Sequence, residues 1–396
     1  MDLRDPVVRL ESLCDSGTLR LLSEEDSSGV VIARGYVFGR AVIAYATSSG
    51  GSLGADGCAR IVWAVDSAAR EGVPVLGLWH SAGVRLAEGV DALDGVGHVF
   101  AAMVRASGRV PQICVVLGPS CADGGYGPVL SDVVIAGPGG SEADVVCSSD
   151  LLAVEQARLV TSLLGDRGYY SAVADQEMLL AELLPARELA LAMFDSCAVE
   201  LQARTAPNIV IALGRMGGHT VGVVANNGQL DGAAAAKAAR FVRMCDALRV
   251  PLVVVADVVD AARRSAKLLH AFASASVPRV TVVPHKIYGG GYVVMNSRSL
   301  GATAVFAWPD AEVAVMGASA AVEILHRGRL AAEPVESREA LRRTLVQEQE
   351  LAAGGVARAL ELGVVDEVIS PGSTRRRIVE VLASSRERRS GGMIPL

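Results

Sequence analysis

One internal repeat limits the fold of this chain more than any other feature. Val110-Pro111-Gln112-Ile113-Cys114-Val115-Val116 recurs in kind as Val277-Pro278-Arg279-Val280-Thr281-Val282-Val283, an offset of 167 positions (278 less 111). Each copy is an apolar, β-branched run entered through a proline, the pattern of a strand buried on both faces. Each leads to a glycine-containing segment with a tyrosine, Ala122-Asp123-Gly124-Gly125-Tyr126 and then Gly289-Gly290-Gly291-Tyr292, and on to a second apolar run, Asp132 to Ala136 or Ala302 to Ala307. Upstream, Val73-Pro74-Val75-Leu76-Gly77-Leu78-Trp79 parallels Val250-Pro251-Leu252-Val253-Val254-Val255-Ala256, each preceded by a helical stretch, Cys58 to Glu71 or Ala233 to Arg249. Strands that alternate with helices in this order call for right-handed βαβ crossovers in each half. The expected fold class is α/β, as two homologous domains at 1–184 and 185–396. The boundary falls in the polar, Pro-containing stretch Asp166 to Pro185, ahead of an amphipathic helix expected over Arg187 to Arg204. Gly137 to Ser149, rich in Gly, Ser and acids, is expected to be a surface loop.

Composition agrees with two such units. A chain of 396 residues that is 51% hydrophobic and 20% charged can bury a large core and is too long for one ordinary domain. Aromatics are only 4%, and the small residues that replace them let helices sit close to strands. Mean hydropathy is +0.38, yet no run reaches the roughly 18 uncharged apolar residues of a membrane-spanning helix. The start Met1-Asp2-Leu3-Arg4-Asp5 lacks the basic-then-apolar order of a signal peptide, so a soluble, cytoplasmic protein is expected. Net charge −6 and a pI near 5.6 give no overall attraction to nucleic acid. Arg375-Arg376-Arg377 and Arg386-Glu387-Arg388-Arg389 read as solvated helix faces. The seven cysteines (Cys14, Cys58, Cys114, Cys121, Cys147, Cys197, Cys245) are odd in number and scattered, with no Cys-x-x-Cys pair, so reduced thiols and no metal site are expected.

Chemistry is suggested by the glycines. A Gly-rich turn between strand and helix lets backbone N–H groups face a developing oxyanion without obstruction from Cβ atoms. Gly289-Gly290-Gly291 has that form, and a plain tight turn is the competing reading. The repeat lays Gly289-Gly290 over Ala122-Asp123, where the glycines are missing. A carboxylate there would repel a developing negative charge unless it is protonated or turned to solvent. Asp123, Gly124, Gly290 and Gly291 are therefore the candidate catalytic residues. Asp123 is read as a base or a plug, with an outward loop carboxylate as the alternative.

Several longer segments carry a family resemblance. They are His80-Ser81-Ala82-Gly83-Val84-Arg85-Leu86-Ala87-Glu88-Gly89-Val90, Arg105-Ala106-Ser107-Gly108, Lys237 to Ala247, Lys286-Ile287-Tyr288-Gly289-Gly290-Gly291-Tyr292-Val293-Val294-Met295-Asn296-Ser297, Ala307 to Ala318, and Gly363-Val364-Val365-Asp366. In this order, over nearly the whole chain, they resemble the β-type carboxyltransferase subunits of biotin-dependent acetyl-/propionyl-CoA carboxylases. The resemblance implies two tandem crotonase-like domains built from βαβ superhelical units, with active sites between the N-half of one subunit and the C-half of another. It implies carboxyl transfer from N-carboxybiotin to the α-carbon of an acyl-CoA, with the thioester side bound by His80, Ser81, Ala82, Gly83, Arg85, Ala122 and Gly289.

The same comparison exposes departures. Ala122-Asp123 replaces the family's Gly-Gly, Ala82 replaces a glycine, and the long piece expected after Ile135 is reduced to Gly137 to Ser149. Gly228 to Gly232 is a shortened linker, and after Asp257-Val258 the family's Pro-Gly loop over biotin is replaced by Val259-Asp260-Ala261-Ala262-Arg263. Lost loops on a kept core suggest a scaffold with changed function. The expectation is a loop-deleted homologue repurposed for decarboxylation or hydrolysis of a malonyl or β-keto acyl thioester, on CoA or on an acyl-carrier protein, in polyketide-like small-molecule biosynthesis. Biotin dependence would be lost and no cofactor covalently bound. The alternatives are a genuine acetyl-/propionyl-CoA carboxyltransferase and a non-catalytic partner of an active paralogue. A homodimer or larger homo-oligomer is expected, because Lys237 to Leu248 and Trp308 to Ala321 would otherwise expose apolar surface. His80 is read as a structural hydrogen-bonding residue rather than a base, Cys121 as a thiol rather than a nucleophile, and Tyr126 and Tyr292 as core residues.

Overall fold

The computed structural model describes residues 2–23, 26–80, 83–117, 128–140, 143–165, 184–196, 198–257, 265–353 and 355–385. The first half runs α1 (Pro6–Leu13), β1 (Arg20–Leu21), β2 (Val30–Val37), β3 (Arg40–Thr47), α2 (Ala55–Glu71), β4 (Val75–Trp79), α3 (Val90–Ala106), β5 (Gln112–Val116), β6 (Val133–Ala136), β7 (Val145–Val146) and α4 (Asp150–Leu164). The second runs α5 (Ala186–Ala192), β8 (Val199–Leu201), β9 (Ile209–Met216), β10 (His219–Asn226), α6 (Gly232–Ala247), β11 (Leu252–Val255), α7 (Ala266–Ser274), β12 (Arg279–Val283), β13 (Lys286–Tyr288) and α8 (Gly289–Val294). It continues through β14 (Ala304–Ala307), β15 (Glu312–Ala314), α9 (Ala318–Leu325), α10 (Arg327–Ala332), α11 (Val335–Ala353), α12 (Gly355–Glu361), β16 (Glu367–Val368) and α13 (Thr374–Ser384).

The two sheets have one topology. The first is ordered β1-β2-β3-β4-β5-β6-β7 and the second β8-β9-β10-β11-β12-β14-β16. In each, the first two pairings are antiparallel and the remaining four parallel. Ile113 and Val280, the matched residues of the two proline-led runs, hold the same place in β5 and β12, facing Leu76 and Val253 on the preceding strand.

Local chemistry repeats as well. Each hairpin turns on two residues with positive φ, Phe38 (49°) and Gly39 (74°) in one, Gly217 (61°) and Gly218 (78°) in the other, the backbone that matches strand twist. An aspartate accepts both turn N–H groups in each case: Asp15 from Phe38 and Gly39 at 3.0 and 2.8 Å, Asp195 from Gly217 and Gly218 at 3.1 and 2.7 Å. An arginine from the last helix of the half holds each aspartate, Arg158 on Asp15 and Arg375 on Asp195. Arg375 is only 5% exposed, which corrects the reading of Arg375-Arg376-Arg377 as a solvated face. Further along, the Val134 and Val305 N–H groups both donate to an aspartate ahead of the edge strand, Asp144 and Asp366, at 2.8 Å.

Side chains sort by strand alternation. On β4 and β5, Leu76, Leu78, Ile113 and Val115 face a central core shared with α4, α6 and α7, while Val75, Trp79 and Cys114 face α2 and α3. Gly77 is small for a reason: a Cβ there would meet Tyr45 Oη at 2.5 Å and Trp79 Nε1 at 2.7 Å, within an edge-to-face Tyr45–Trp79 pair. On the far side, Val253, Val255, Val280 and Val282 pack against α5 and α13. Helix α6 lies in the central core through Ala238, Phe241, Val242 and Cys245, so the expected apolar exposure of Lys237 to Leu248 is met within the chain.

Two expected elements differ. The helix expected over Arg187 to Arg204 ends at Ala192, because Asp195 is taken by the hairpin turn and Val199–Leu201 pairs with β9 as an edge strand. Gly137 to Ser149 is not all loop: Val145–Val146 pairs with β6, and Asp144 is 6% exposed. Asp144 also accepts from Gln202 Nε2 at 2.7 Å and Arg240 Nη1 at 3.0 Å, joining the first sheet to β8 and α6. Cys14, Cys58, Cys114 and Cys245 are buried free thiols and Cys147 is half-buried, while Cys121 and Cys197 lie outside the described residues.

Candidate active site

In open sheets with parallel strands, ligand crevices lie beyond the carboxyl ends of those strands. Here those ends carry His80 after β4, Asp257 after β11 and His285 after β12. The loop residues Ser81, Ala82, Ala122, Asp123 and Gly124, with Cys121, Tyr126 and Val259 to Arg263, lie outside the described residues.

In the first half the His80 N–H donates to Thr47 Oγ1 at 2.8 Å, and its Nδ1 is 3.2 Å from Ser49 Oγ. These contacts fit the structural reading of His80. Gly83 adopts φ +106° and its carbonyl accepts the Leu53 N–H at 2.8 Å, which anchors the loop to the residue ahead of α2. Arg85 donates to Glu88 at 2.7 Å and to the carbonyls of Ser27 and Ser52 at 3.0 and 3.3 Å. Glu88 in turn accepts the Ala55 N–H at 2.7 Å, supplying the N-terminal cap that Gly54 cannot, and this bond and Arg85 hold its carboxyl below the usual range. Arg85 thus acts locally as a strut between the loop and α2.

The second half places its glycines as the sequence suggested. Gly289 has φ +52°, and a Cβ there would meet the Val315 carbonyl oxygen at 2.9 Å, so this position needs glycine. At Gly290 a Cβ would meet nothing within 4 Å, which leaves space over the first turn of α8. Gly291 is buried in that turn. Beside it, Tyr288 donates to the Glu312 carboxylate, and Lys286 Nζ stands 3.0 Å from the same group. Burial and the Glu312 charge push the Tyr288 phenol up to about 12, and the Tyr288 bond leads the causes that lower the Glu312 carboxyl. Tyr292 is half-buried, its hydroxyl donating to the Val364 carbonyl at 3.0 Å, as expected of a packing residue.

A second cluster was not singled out from sequence. Asp257 lies 3.0 Å from His285 Nδ1 and accepts the Lys286 N–H at 3.1 Å. The repeat held the signal for it. Thr47 and Asn226 end β3 and β10, and their side chains accept the N–H of His80 and of Asp257 respectively, so these two residues are positional equivalents. Among the described residues, no group of three or more His, Cys, Asp or Glu could hold a metal ion. No helix among them is long and apolar enough to cross a membrane.

The chain matches the carboxyl transferase domain family over residues 18–145 and 186–392. It is 45% identical over 453 aligned positions to the biotin-dependent acetyl-/propionyl-coenzyme A carboxylase beta6 subunit of Mycobacterium tuberculosis, covering 98% of this chain and 96% of that one. It is 47% identical to the propionyl-CoA carboxylase beta chain of Rhodococcus erythropolis, over 90% and 89% of the two chains. Among solved structures, transcarboxylase 12S, described as a hexamer with methylmalonyl-coenzyme A and methylmalonic acid bound, superimposes with a TM-score of 0.86 at 30% identity, over 99% of this chain and 92% of that one. The mixed α/β fold is that of the crotonase-like carboxyltransferases, and this chain belongs to the carboxyl transferase domain family.

Proposed function

We propose that this chain is a carboxyltransferase subunit that exchanges a carboxyl group between a biotinylated carrier and the α-carbon of a short acyl-CoA. The observation that carries this reading is the 45% identity to an acetyl-/propionyl-CoA carboxylase subunit across almost the full length of both chains. Near-complete coverage matters because the expected site needs residues from both halves. Gly289 and Gly290 support it physically, one held in a glycine-only backbone and the other facing open space where a substrate oxygen can approach the turn. Asp123, Gly124, Gly290 and Gly291 are proposed as the reacting edge, with His80, Ser81, Ala82, Gly83, Arg85, Ala122 and Gly289 around the thioester. Arg85 would contribute through the loop it braces.

A second reading keeps the acyl thioester and drops biotin, so that the site decarboxylates or hydrolyses a malonyl or β-keto substrate. One observation favours it: the alignment is 453 positions long against 396 residues here, so the relative carries segments that this chain lacks. The shortness of 256–265 between β11 and α7, and Ala122-Asp123 where the repeat calls for glycines, support the same reading.

A homo-oligomer is proposed on the hexamer described for transcarboxylase 12S, with Leu86 (92% exposed), Val90, Val315 and Leu325 as apolar surface for a second copy or a paralogous subunit to cover. Domains at 1–184 and 185–396 are proposed on the two like sheets and on the break in the family match between 145 and 186. The test of function is conversion of methylmalonyl-CoA to propionyl-CoA by the purified chain. Conversion that requires biotin supports carboxyl transfer, conversion without biotin supports the second reading, and no conversion in either condition rejects both.

A further inference from the structure

We propose that Tyr288 and Glu312 form a latch that holds the glycine turn of α8 in place for the acyl oxygen, with Tyr288 as a positioning residue that touches no reacting atom; its part in transfer rests on the carboxyltransferase reading. Tyr288 ends β13 and is the last residue before Gly289. Its backbone is extended, φ −121° and ψ 144°, and its side chain makes no cap to α8. The side chain crosses instead to the neighbouring strand, where the phenol donates to the Glu312 carboxylate. Strand register explains the reach: Tyr288 pairs with Ala314 on β15, and Glu312, two residues back, lies on the same face as Ala314. Two further contacts tie the same turn to the same neighbour. Gly289 stands so close to the end of β15 that a Cβ would meet the Val315 carbonyl oxygen at 2.9 Å. The Tyr288 ring and hydroxyl lie 3.5 Å from where a Cβ on Gly317, the residue ahead of α9, would stand. Backbone, ring and hydroxyl thus fasten the turn to β15 and to the start of α9.

A solvated surface pair is the competing reading, and Lys286 fits it: its Nζ stands 3.0 Å from Glu312 with the two side chains 53% and 43% exposed, and such a pair contributes little. The phenol is different. Burial and then the Glu312 charge push it up to about 12, so it keeps the proton that it donates. Its bond leads the causes that lower the Glu312 carboxyl, so the contact is a phenol O–H on a carboxylate, a charge-assisted bond stronger than a neutral one. Placement gives that bond its consequence. Open space lies over Gly290, two residues along from Tyr288, and backbone N–H groups beside that space serve an oxyanion only at a fixed distance. A displacement of about 1 Å costs roughly 10²-fold in rate. The device belongs to the second half: the repeat lays Tyr288 over Cys121 (288 less 167), and among the described residues the first half has no counterpart of the β13–β15 pair.

The experiment measures three quantities on the purified full chain: turnover of methylmalonyl-CoA with biotin supplied, deuterium uptake by backbone N–H groups in peptides spanning 286–295, and thermal midpoint. Tyr288→Phe and Glu312→Ala should each lower kcat by about 10- to 100-fold with a smaller change in KM, speed uptake in those peptides, and leave the midpoint near that of wild type. The double variant should be no slower than the slower single one, because both substitutions remove one interaction. Glu312→Gln keeps an acceptor oxygen for the phenol and should retain most of the turnover, and Lys286→Met should match wild type. Unchanged uptake in Tyr288→Phe overturns the latch whatever the activity. Faster uptake with unchanged kcat overturns its part in positioning, as does an equal loss in Lys286→Met or an additive loss in the double variant. No turnover in wild type, beside faster uptake in Tyr288→Phe, rejects the carboxyltransferase reading and leaves the latch standing.

Discussion

Gly289 and Gly290 are adjacent, yet they meet different constraints. Gly289→Ala places a Cβ on a backbone at φ +52° and 2.9 Å from the Val315 oxygen, so it should cost about 1–3 kcal/mol of stability, read as a lower thermal midpoint. Gly290→Val adds a Cβ that meets nothing within 4 Å and directs its two methyl groups into the space beyond, so the midpoint should change little while acyl-CoA binding weakens; equal losses of stability in both variants would contradict the assignment of that space to substrate. A second residue-scale prediction concerns Asp132, buried at the start of β6 with its carboxylate accepting the Gln112 N–H at 2.8 Å. Burial pushes its carboxyl up to about 7, against the pull of Arg240 and with the push of Asp144. Because the folded state disfavours the charge, the stability this group contributes is full below about pH 4 and is lost as pH rises to about 7. Asp132→Asn should therefore gain on wild type by roughly 1–3 kcal/mol in urea unfolding between pH 5 and pH 8, and an unchanged difference would refute this. Gly289 was legible in the sequence because its positive-φ backbone favours glycine, whereas at Gly290 the structure shows only room. The repeat matches Asp257 to His80 at a strand end, but the spacing of 28 positions between Asp257 and His285 does not mark the two side chains as neighbours until the strands are registered.

Elements were read best where tertiary packing and local pattern agree. The runs at Val75–Trp79, Gln112–Val116, Leu252–Val255 and Arg279–Val283 are strands because both their faces are buried, and the helices before them show the same one-sided burial. Edge elements were misread for the opposite reason. Val145–Val146 and Val199–Leu201 are too short to show a period and exist as strands only through their pairing with β6 and β9. The hairpin aspartates show what such local devices contribute. Asp195→Ala would strip acceptors from the Gly217 and Gly218 N–H groups and leave Arg375, 5% exposed, without its carboxylate. Its expected cost is about 2–4 kcal/mol, larger than that of Asp15→Ala, whose partner Arg158 is 20% exposed and can be solvated. Denaturant midpoints for the two variants measure this, and an equal or reversed order would show that the two turns are not held by the same balance of forces.

At the scale of the whole molecule, the common strand order of the two sheets is why one sequence comparison within the chain could anticipate both. It also explains why the sites on the two halves can diverge while the scaffold persists: strand pairing and core packing constrain β4, β5, β11 and β12, whereas their trailing loops answer only to the ligand. Membership of the carboxyl transferase family and the near-complete coverage of acyl-CoA carboxylase subunits support carboxyl transfer as the central claim. The chain's shorter length relative to the alignment is what keeps biotin-free chemistry as its rival. The most direct measurement supplies the full chain with acetyl- or propionyl-CoA, ATP, labelled bicarbonate and a biotinylated carrier with its biotin carboxylase. The account predicts label in malonyl- or methylmalonyl-CoA that disappears when the carrier is omitted. No label in the acyl-CoA, under conditions where a known carboxyltransferase subunit introduces it, would contradict the claim.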